Sequence, residues 1–568
     1  MSANAATDFA VALLGELIRR GVRDFVVCPG SRSQALALAA AAYEQTGQIR
    51  LRVRIDERVA GFLALGIAVE TGAPVVIITT SGTAVANLHP AVLEAHHSAV
   101  PLIMLTADRP AELRGIGSNQ TTEQVGLFGS AVGWLRDVEA PGSAGTRQHF
   151  DPEYPEQLAH EAYSAAAGHS SPAGPVQLNL AFREPLSGPV GELTQLQAHQ
   201  WPSGHPRETY SFEVAPHTIV IAGAGAGPEA ESFARALGVP LIAEVSSGAR
   251  FGPNLVVAYR ELLDDADFGG LVRRAVVFGH PTLSRQIPAL LTREDVETHI
   301  VRGDSFEAYN PGHRASSISQ AASAARMDNS AEGRAWVGQW VHTGRRLAAT
   351  TVSVDGEVKS ASEPVVASSD RSESLAREQL AVFRQPVSRR LLVDALWRVS
   401  WPHDRLVLGA SRLIREADSV VPGKKISVHA NRGLAGIDGT IATAIGIALA
   451  SQDTDTVSGA GITRVLVGDL TALYDVGALL FGAGEERPRI QVIVGNDGGG
   501  TIFDSLEVSK SAQRQPFDRV QYTPQCVDFR ALAAAYGWDY RLAGNRGELD
   551  EALAASALPT LVEVPLPR

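Results

Sequence analysis

Short runs of β-branched residues alternate with Ala-rich stretches of helical length along most of this 568-residue chain. The apolar runs include DFVVCPG, APVVIITTSG, VPLIMLTADRP, TIVIAGAG, RAVVFGHP, RVLVGDL and RIQVIVGND. Strands that are linked through helices lie parallel, and a parallel sheet needs helices on both faces to bury it. The alternation therefore predicts an α/β fold built of doubly wound parallel sheets.

Three such regions are separated by stretches in which the alternation stops. We expect an N-terminal α/β domain at residues 1–190, a central α/β domain at 191–325, a helical and flexible linker at 326–384, and a C-terminal α/β domain at 385–568. The first break is rich in Pro, His and Gln, and the second is rich in Ala, Ser, Glu and Arg. Because the chain is too long for a single core, three doubly wound domains are the predicted architecture.

Charge and cysteine content limit the classes of function. A net charge of −12 argues against a nucleic-acid partner, which would need a basic face. The two cysteines, Cys28 and Cys526, form no CxxC pattern and no Cys/His cluster, which argues against disulfides and structural zinc and fits a reducing cytoplasm. The N-terminus lacks a secretory signal pattern, and the apolar runs are too short for a bilayer. We expect a cytoplasmic protein with no membrane span.

Two apolar strands end in polar residues suited to a metal ion. RVLVGDL ends near Asp469, and RIQVIVGND carries Asn496 27 positions later, which leaves room for one intervening helix. Because the carboxyl ends of neighbouring parallel strands form the ligand crevice of such a sheet, both side chains are expected at one point. With a carbonyl from the following GGG they supply the hard oxygens that Mg²⁺ prefers. Gly-Asp and Asn-Asp-Gly are also common turn sequences, so a plain turn is the alternative.

This pair of strand ends resembles the diphosphate-binding motif of thiamine-diphosphate enzymes, in which Gly-Asp-X and a downstream Asn-Asn hold Mg²⁺ and the cofactor diphosphate. Here GND replaces Asn-Asn, so two registers are open. The ligands that join Asp469 are either Asn496 with the carbonyl of Gly498, or Asp497 with that of Gly499. We favour Asn496, because its spacing from Pro488 then needs no gap.

A second acid stands at the start of a segment rich in small residues. Glu57 lies in RIDERVAGFLALG, at the junction between a β run and a helix. An acid in the first turn of a helix is stabilised by the helix dipole, so its position alone requires no function. The resemblance implies more, since in thiamine-diphosphate enzymes a glutamate at this junction bonds N1′ of the aminopyrimidine ring. Glu57 is therefore the expected catalytic residue, and the Ala and Gly after it are expected to let the ring and a neighbouring subunit approach closely.

Further segments are similar to the 2-succinyl-5-enolpyruvyl-6-hydroxy-3-cyclohexene-1-carboxylate synthases (SEPHCHC synthases). They are CPGSRSQALALA, TSGTAVANLHPAVLEA, LTADRPAEL, GSNQTTEQVGLFG, HANRGLAGIDGTIATAIG and GDLTALYD. They lie in the N- and C-terminal domains in the family's order, whereas the central domain matches mainly in its placement.

The resemblance implies a thiamine-diphosphate-dependent transferase of menaquinone (vitamin K2) biosynthesis. It would decarboxylate 2-oxoglutarate and add the resulting succinyl-semialdehyde enamine to isochorismate. The implied cofactors are thiamine diphosphate and Mg²⁺, or Mn²⁺, and the implied assembly is a homodimer at minimum and a homotetramer by preference. Two alternatives stay open: another thiamine-diphosphate-dependent 2-oxoacid decarboxylase or carboligase, of the acetolactate-synthase kind, and a non-catalytic binding module.

Both substrates of such an enzyme are dianions, so its site needs several fixed cations, and guanidinium groups match carboxylates best. A lone arginine is usually a solvated surface residue, but four lie in the matching segments. These expected substrate contacts are Arg32, Arg109, Arg415 and Arg432. The resemblance adds Ser31, Asn119 and Gln120 as further substrate contacts. It also implies cofactor contacts from Pro29, Glu57, Ser411, Ile437, Gly468, Asp469, Leu470, Ile502 and Phe503.

Two other patterns are assigned no ligand. AGAGAGPEAE in the central domain lacks a clean GxGxxG followed by an acid about 20 positions on, and it is typical of a tight strand-to-helix turn. Adjacent His96 and His97 would point in different directions on a helix and would not share one metal ion.

Overall fold

The computed structural model describes residues 4–141, 153–169, 172–197, 207–355, 381–453 and 460–568. Within them the chain forms three sheets of six strands and one small two-stranded sheet, and helices pack on the large sheets. Every strand pair within the sheets is parallel, which confirms the predicted α/β fold. None of the helices in these ranges combines the length and apolarity needed to cross a lipid bilayer.

In its described residues the first domain contains six strands and six α-helices. The strands are β1 (Asp24–Val27), β2 (Arg50–Val53), β3 (Val75–Thr79), β4 (Leu102–Asp108), β5 (Trp134–Val138) and β6 (Pro175–Ala181). The helices are α1 (Ala5–Arg19), α2 (Gln34–Gln45), α3 (Glu57–Thr71), α4 (Thr83–Asn87), α5 (His89–His97) and α6 (Glu153–Ala166). The strand order is β2-β1-β3-β4-β6-β5. Strands β1, β3, β4 and β6 are buried along their whole length, which is why their sequences are continuous apolar runs.

The described part of the middle domain contains eight strands and four α-helices. The strands are β7 (Thr209–Phe212), β8 (Thr218–Ala222), β9 (Leu241–Ala243), β10 (Leu255–Val256), β11 (Arg274–Phe278), β12 (Glu297–Val301), β13 (Ala315–Ser319) and β14 (Ala321–Ala324). The helices are α7 (Gly227–Leu237), α8 (Tyr259–Asp264), α9 (Gln286–Leu291) and α10 (Ala331–Asp355). The large sheet has the order β10-β9-β8-β11-β12-β13, and β7 pairs with β14. Helix α10 begins in the predicted linker and packs Trp336 and Trp340 into this domain's core, whereas residues 356–380 lie outside the described ranges.

The middle sheet has the strand order of dinucleotide-binding sheets, in which the ligand crevice opens where the order reverses, here between β8 and β11. At that point the main chains of Ala224 and His280 hydrogen-bond to each other in both directions, at 3.2 and 2.8 Å. A Cβ on Gly223 would overlap the backbone of His280 and Pro281. The two loops therefore fill the crevice, and AGAGAG forms the tight turn that the sequence predicts.

Six strands and eight α-helices lie in the described residues of the third domain. The strands are β15 (Arg405–Leu408), β16 (Ser427–His429), β17 (Thr463–Gly468), β18 (Ile490–Asn496), β19 (Asp539–Leu542) and β20 (Thr560–Pro565). The helices are α11 (Arg389–Val399), α12 (Arg412–Val420), α13 (Thr440–Gln452), α14 (Asp469–Tyr474), α15 (Val508–Ser511), α16 (Arg514–Phe517), α17 (Phe529–Ala535) and α18 (Arg546–Ala552). The strand order, β16-β15-β17-β18-β20-β19, repeats that of the first sheet.

Helices α3 and α13 join the first and third domains into one core. A Cβ on Gly66 would overlap the carbonyl oxygen of Thr443, and a Cβ on Gly446 would overlap that of Leu63. Both helices are buried over most of their length and share a single apolar cluster. At Gly66 the absence of a side chain therefore permits a contact between two helices of the same chain, which the sequence did not suggest.

Candidate active site

Three oxygen atoms surround Gln525 where β17 and β18 end. The two strands are neighbours in register, with Gly468 beside Gly495, so Asp469 and Asn496 follow at the same edge of the sheet. The side-chain amide nitrogen of Gln525 donates to Asp469 Oδ2 at 2.8 Å and to Asn496 Oδ1 at 3.3 Å. The main-chain N–H of Gln525 donates to the carbonyl of Gly498 at 3.2 Å. The structure thus brings together a carboxylate, an amide oxygen and a carbonyl, which fit the oxygen ligands of Mg²⁺ or Mn²⁺.

Neighbouring groups orient these oxygens. The amide nitrogen of Asn496 donates to Glu563 at 2.7 Å, and this leaves its Oδ1 directed at the cluster. Burial raises the pKa of Asp469, and the charge on Asp497 adds to the effect, whereas the hydrogen bond from Gln525 opposes it. Among the described residues no group of three or more His, Cys, Asp and Glu side chains could hold a metal ion, so a site at Asp469 depends on neutral oxygens as well.

The alternative register places its ligands in a different environment. The carboxylate of Asp497 forms an ion pair with Arg389 at 2.6 Å and accepts a hydrogen bond from Thr501. A Cβ on Gly499 would overlap the carbonyl oxygen of Tyr522, so the loop that contains Gly499 packs tightly against the backbone at Tyr522. Because Asp497 already has a cationic partner, the structure favours Asn496 and Gly498 as the metal-facing pair.

The other expected cofactor contacts of the third domain surround this edge. Ser411 caps α12 by accepting the N–H of Leu413, and it lies beside Gly468, where an added Cβ would be 3.9 Å from the Ser411 Cβ. Leu470 follows Asp469 on α14. Ile502 and Phe503 are half-buried in the turn after GGG, and Ile437 is exposed in the loop before α13.

Glu57 begins α3, but it does not cap the helix. Asp56 does so, since its carboxylate accepts the N–H groups of Arg58 and Val59 at 2.9 and 3.3 Å. The half-buried Glu57 carboxylate accepts a long hydrogen bond of 3.5 Å from the side chain of Asn87. The helix cap therefore does not explain why an acid stands at Glu57.

A buried carboxylate that sequence reasoning missed lies near Arg58, the residue after Glu57. Asp475 follows α14 and accepts the N–H groups of Ile441 and Ala442, at 2.8 and 2.9 Å, through a single oxygen. Its other oxygen is 3.9 Å from the guanidinium of Arg58. Burial raises the pKa of Asp475 to about 7. The segment GDLTALYD contained this residue, but a carboxylate after a short helix gives no local sign of burial.

A second polar group forms at the carboxyl edge of the first sheet. The guanidinium of Arg109 donates to Ser81 Oγ at 2.7 Å and to the carbonyl of Gln120. Gln120 has a positive φ of 52° and donates its side-chain amide to the carbonyl of Ser81 at 3.0 Å. Arg32 donates to the carbonyl of Phe182 at 3.0 Å, and burial together with the charge on Arg109 lowers its pKa. Sequence reasoning missed Ser81, although it follows directly on the run APVVIITT.

The remaining predicted residues of the first domain lie on exposed loops near this group. Pro29 and Ser31 stand in the turn after β1, and Asn119 precedes Gln120. The structure thus places Arg32, Arg109 and Gln120 together, with Pro29, Ser31 and Asn119 on the adjoining chain segments.

Arg415 and Arg432 lie on the third domain where it meets the middle domain. Burial lowers the pKa of Arg415, and the charges on Arg432, Arg260 and Arg285 contribute. Arg432 is 6% exposed, and its Nε has no hydrogen-bond partner among the described residues. Two middle-domain arginines, Arg260 and Arg285, therefore add to the positive charge here. Sequence reasoning missed both, because their distance from Arg415 along the chain gives no local signal.

Glu57 and the residues around Asp469 belong to different sheets of one chain. Among the described residues no hydrogen bond or ion pair connects Glu57 with Asp469, Asn496 or Gln525. The nearest connection is from Arg58, whose guanidinium donates to the carbonyl of Tyr474 at 3.0 Å, at the end of α14.

Comparison with known proteins identifies the family. Residues 7–127 match the family model described as thiamine pyrophosphate enzyme, N-terminal TPP binding domain. The SEPHCHC synthase of Leifsonia xyli subsp. xyli is 59% identical over the full chain and 97% of that protein. The corresponding synthase of Clavibacter michiganensis subsp. michiganensis is 53% identical with the same coverage, and that of an Arthrobacter species is 41% identical over 96% of this chain and 87% of its own length. The chain belongs to the SEPHCHC synthase family.

Membership of the SEPHCHC synthase family confirms the resemblance seen in the six sequence segments, and it favours that interpretation over an acetolactate-synthase-like enzyme. The identity extends over the middle domain as well, where the sequence segments gave little. The matched N-terminal region contains Glu57 and the group around Arg109, and the Asp469 group lies outside it. The individual roles of these residues stay predictions.

Proposed function

We propose that this protein decarboxylates 2-oxoglutarate and adds the resulting four-carbon unit to isochorismate, as a thiamine-diphosphate-dependent transferase of menaquinone biosynthesis. The observation that carries the proposal is identity of 59% over the full chain to a protein named as SEPHCHC synthase. The convergent oxygens of Asp469, Asn496 and Gly498 support it, because they give the chain a place for the divalent ion of such an enzyme.

In this proposal the third domain binds the cofactor's charged end. Asp469, Asn496 and the carbonyl of Gly498 hold Mg²⁺ or Mn²⁺, and Ser411 lies at the adjoining strand end. Thiamine diphosphate, when bound, supplies the carbon nucleophile and the electron sink that decarboxylation of a 2-oxoacid requires. Glu57 holds and exchanges a proton at its carboxylate. This carboxylate is half-buried, and it does not cap α3 because Asp56 does so.

The arginines bind the substrate carboxylates in this proposal. Arg32 and Arg109 line the edge of the first sheet, and Arg415 and Arg432 line the junction of the middle and third domains. The buried Nε of Arg432 has no partner among the described residues, which suits a group that receives a carboxylate. Ser31, Asn119 and Gln120 would set the substrate's orientation from the first domain.

We further propose that the functional unit is a homodimer at minimum and a homotetramer by preference. Support comes from the absence, among the described residues, of any hydrogen bond or ion pair between Glu57 and the Asp469 group. It also comes from exposed apolar side chains near the start of α3, where Ile55 is 72% exposed and Tyr474 is 51% exposed. Light scattering coupled to gel filtration tests this, and a monomer that is fully active would contradict it. The two unpaired cysteines support a cytoplasmic location.

The experiment that tests the function is mass-spectrometric identification of the product formed from 2-oxoglutarate and isochorismate with thiamine diphosphate and Mg²⁺. Glu57→Gln is the control, and we expect it to lose at least about a hundredfold in turnover while it still binds the cofactor. Rapid release of CO₂ from 2-oxoglutarate without isochorismate would contradict the proposed carboligation. An active Glu57→Gln enzyme would contradict the role of Glu57.

The metal register has its own test. Asn496→Ala should weaken Mg²⁺-dependent binding of thiamine diphosphate, measured by calorimetry, because it removes an oxygen of the convergent set. Asp497→Asn is the matched comparison and should have the smaller effect, since Arg389 already occupies its carboxylate. The reverse order of effects would favour the register with Asp497 and Gly499.

A further inference from the structure

The middle domain reaches the candidate site through one loop. The segment between β11 and α9 has the sequence GHPTLSR, and its Thr282 hydroxyl accepts a hydrogen bond from the guanidinium of Arg432. The imidazole of His280, in the same loop, hydrogen-bonds to the backbone of Arg432. A residue of the third domain is therefore held by two side chains of the middle domain.

A buried acid fixes this loop from behind. Glu244 is fully buried after β9, and its two carboxylate oxygens accept the N–H groups of Thr282 and Leu283, at 3.1 and 2.6 Å. Burial and the nearby charge of Asp418 raise the pKa of Glu244 well above its usual range. Since both oxygens bind consecutive amides of one loop, Glu244 sets the position of the Thr282 backbone.

The glycine-rich turn of the middle domain supports the same loop. His280 and Ala224 pair through their main chains, and the backbone of Pro281 occupies the space where Gly223 would carry a side chain. AGAGAG therefore has a use that requires no nucleotide, because it lets the loop lie directly on the ends of β8 and β11.

The first domain holds Arg432 from the other side. Glu94 on α5 is 4% exposed, and its carboxylate accepts the N–H groups of Gly433 and Leu434, at 2.7 and 2.8 Å. The main chain directly after Arg432 is thus held by the first domain, and Arg432 itself is held by the middle domain, although it belongs to the third.

We propose that Thr282 is a positioning residue for Arg432, and that the middle domain serves the reaction by orienting this substrate-binding guanidinium through the loop of residues 279–285. The inference rests on the proposed function, in which Arg432 binds a substrate carboxylate. The Thr282 hydroxyl gives the guanidinium a defined direction, and the Nε, which has no hydrogen-bond partner among the described residues, remains a donor for a substrate carboxylate. Thr282 itself acts on substrate only through Arg432.

Thr282→Val removes the hydroxyl and keeps the shape of the side chain. Of the two substrates, 2-oxoglutarate and isochorismate, the one whose carboxylate Arg432 binds should show a rise in KM of about tenfold. The kcat should change by less than about twofold. The loss of a hydrogen bond to a charged group has an effect of this size on binding. Thr282→Ser keeps the hydroxyl and should restore the KM. Thr292→Val, on an exposed threonine of the same domain that bonds only to the end of its own helix, is the matched control.

A double-mutant cycle separates positioning from general support of the fold. In an Arg432→Lys background, Thr282→Val should raise KM by less than about twofold further, because the guanidinium that it orients is gone. An unchanged KM in Thr282→Val, or an equal effect in both backgrounds, would overturn the inference while leaving the proposed function standing. A wild-type enzyme that forms no product would overturn the proposed function and the inference with it.

Discussion

Asp475→Asn tests the electrostatics of the junction between α3, α13 and α14. The carboxylate is fully buried, and one of its oxygens accepts the amides of Ile441 and Ala442. An asparagine oxygen can accept the same two bonds, so the change removes charge and keeps shape. Burial raises the pKa of Asp475 from 3.8 to about 7, so the folded chain keeps this proton at pH values where the unfolded chain has lost it. Its contribution to stability is therefore full below about pH 4 and is lost as the pH rises to about 7.

The size of the effect follows from that pKa. Between about pH 4 and about pH 7 the wild type should lose about 4 kcal/mol of unfolding free energy relative to the Asp475→Asn variant, because asparagine has no proton to lose. With the usual entropy of unfolding per residue, this is about 3 °C in melting temperature if the whole chain melts together. It is about 10 °C if the third domain melts alone.

Thermal melting of both proteins from about pH 4.5 to about pH 8, at constant ionic strength, measures this difference. The melting temperature of the variant minus that of the wild type should grow with pH and level off above about pH 7. Asp528→Asn, at an exposed helix cap of the same domain, is the control for an Asp-to-Asn change. A difference that stays constant with pH would refute the reasoning, because it would mean that Asp475 is ionised throughout this range.

Gly66→Ala should lower the unfolding free energy by about 3 kcal/mol or more, because its methyl group would overlap a backbone carbonyl of α13. The control is Gly338→Ala, at an exposed helical glycine with open space around it. This change should raise the unfolding free energy by about 0.5–1 kcal/mol. Thermal melting measures both, and equal effects would contradict the close contact of the two helices. Alkylation of the native protein should label the exposed Cys526 and spare Cys28, whose burial raises its thiol pKa. Mass spectrometry should then count one adduct before unfolding and two after it, and two adducts on the native protein would contradict the burial of Cys28.

The parts of the site that could be predicted from sequence lie at strand ends. Asp469 and Asn496 each follow a continuous apolar run. The run predicts a buried strand, and the end of that strand places the next residue at the carboxyl edge of the sheet. One helix between them leaves the two strands adjacent, so their convergence follows from local pattern and the rules of parallel sheets. The same reasoning gave the three α/β sheets.

Contacts between distant segments could not be predicted in this way. Gln525 reaches Asp469 from a stretch without regular periodicity, and Thr282 meets Arg432 across 150 residues of chain. The local sequences around Gln525 and Thr282 do not differ from those of ordinary surface positions. A single sequence also gives no distance between either residue and its partner. Glu244 is a similar case, because an acid after a short apolar strand carries no sign that its partners are two backbone amides.

One of the small residues of α3 has a close neighbour that the sequence did not suggest. The density of Ala and Gly after Glu57 indicated that something approaches this helix closely. At Gly66 the close neighbour is the backbone of Thr443 on α13 of the same chain. A helix rich in Ala and Gly indicates that another group approaches it closely. Which group does so depends on how the domains pack, and this cannot be read from the composition.

The pairing of the two loops between β8 and β11 has a consequence for regulation by nucleotides. A sheet with this strand order ordinarily offers adenine nucleotides a place to bind at this point. Here the main chains of Ala224 and His280 hydrogen-bond to each other across it, so their N–H groups are not free to bind a phosphate. We therefore expect ATP and NAD to leave the activity unchanged through this crevice.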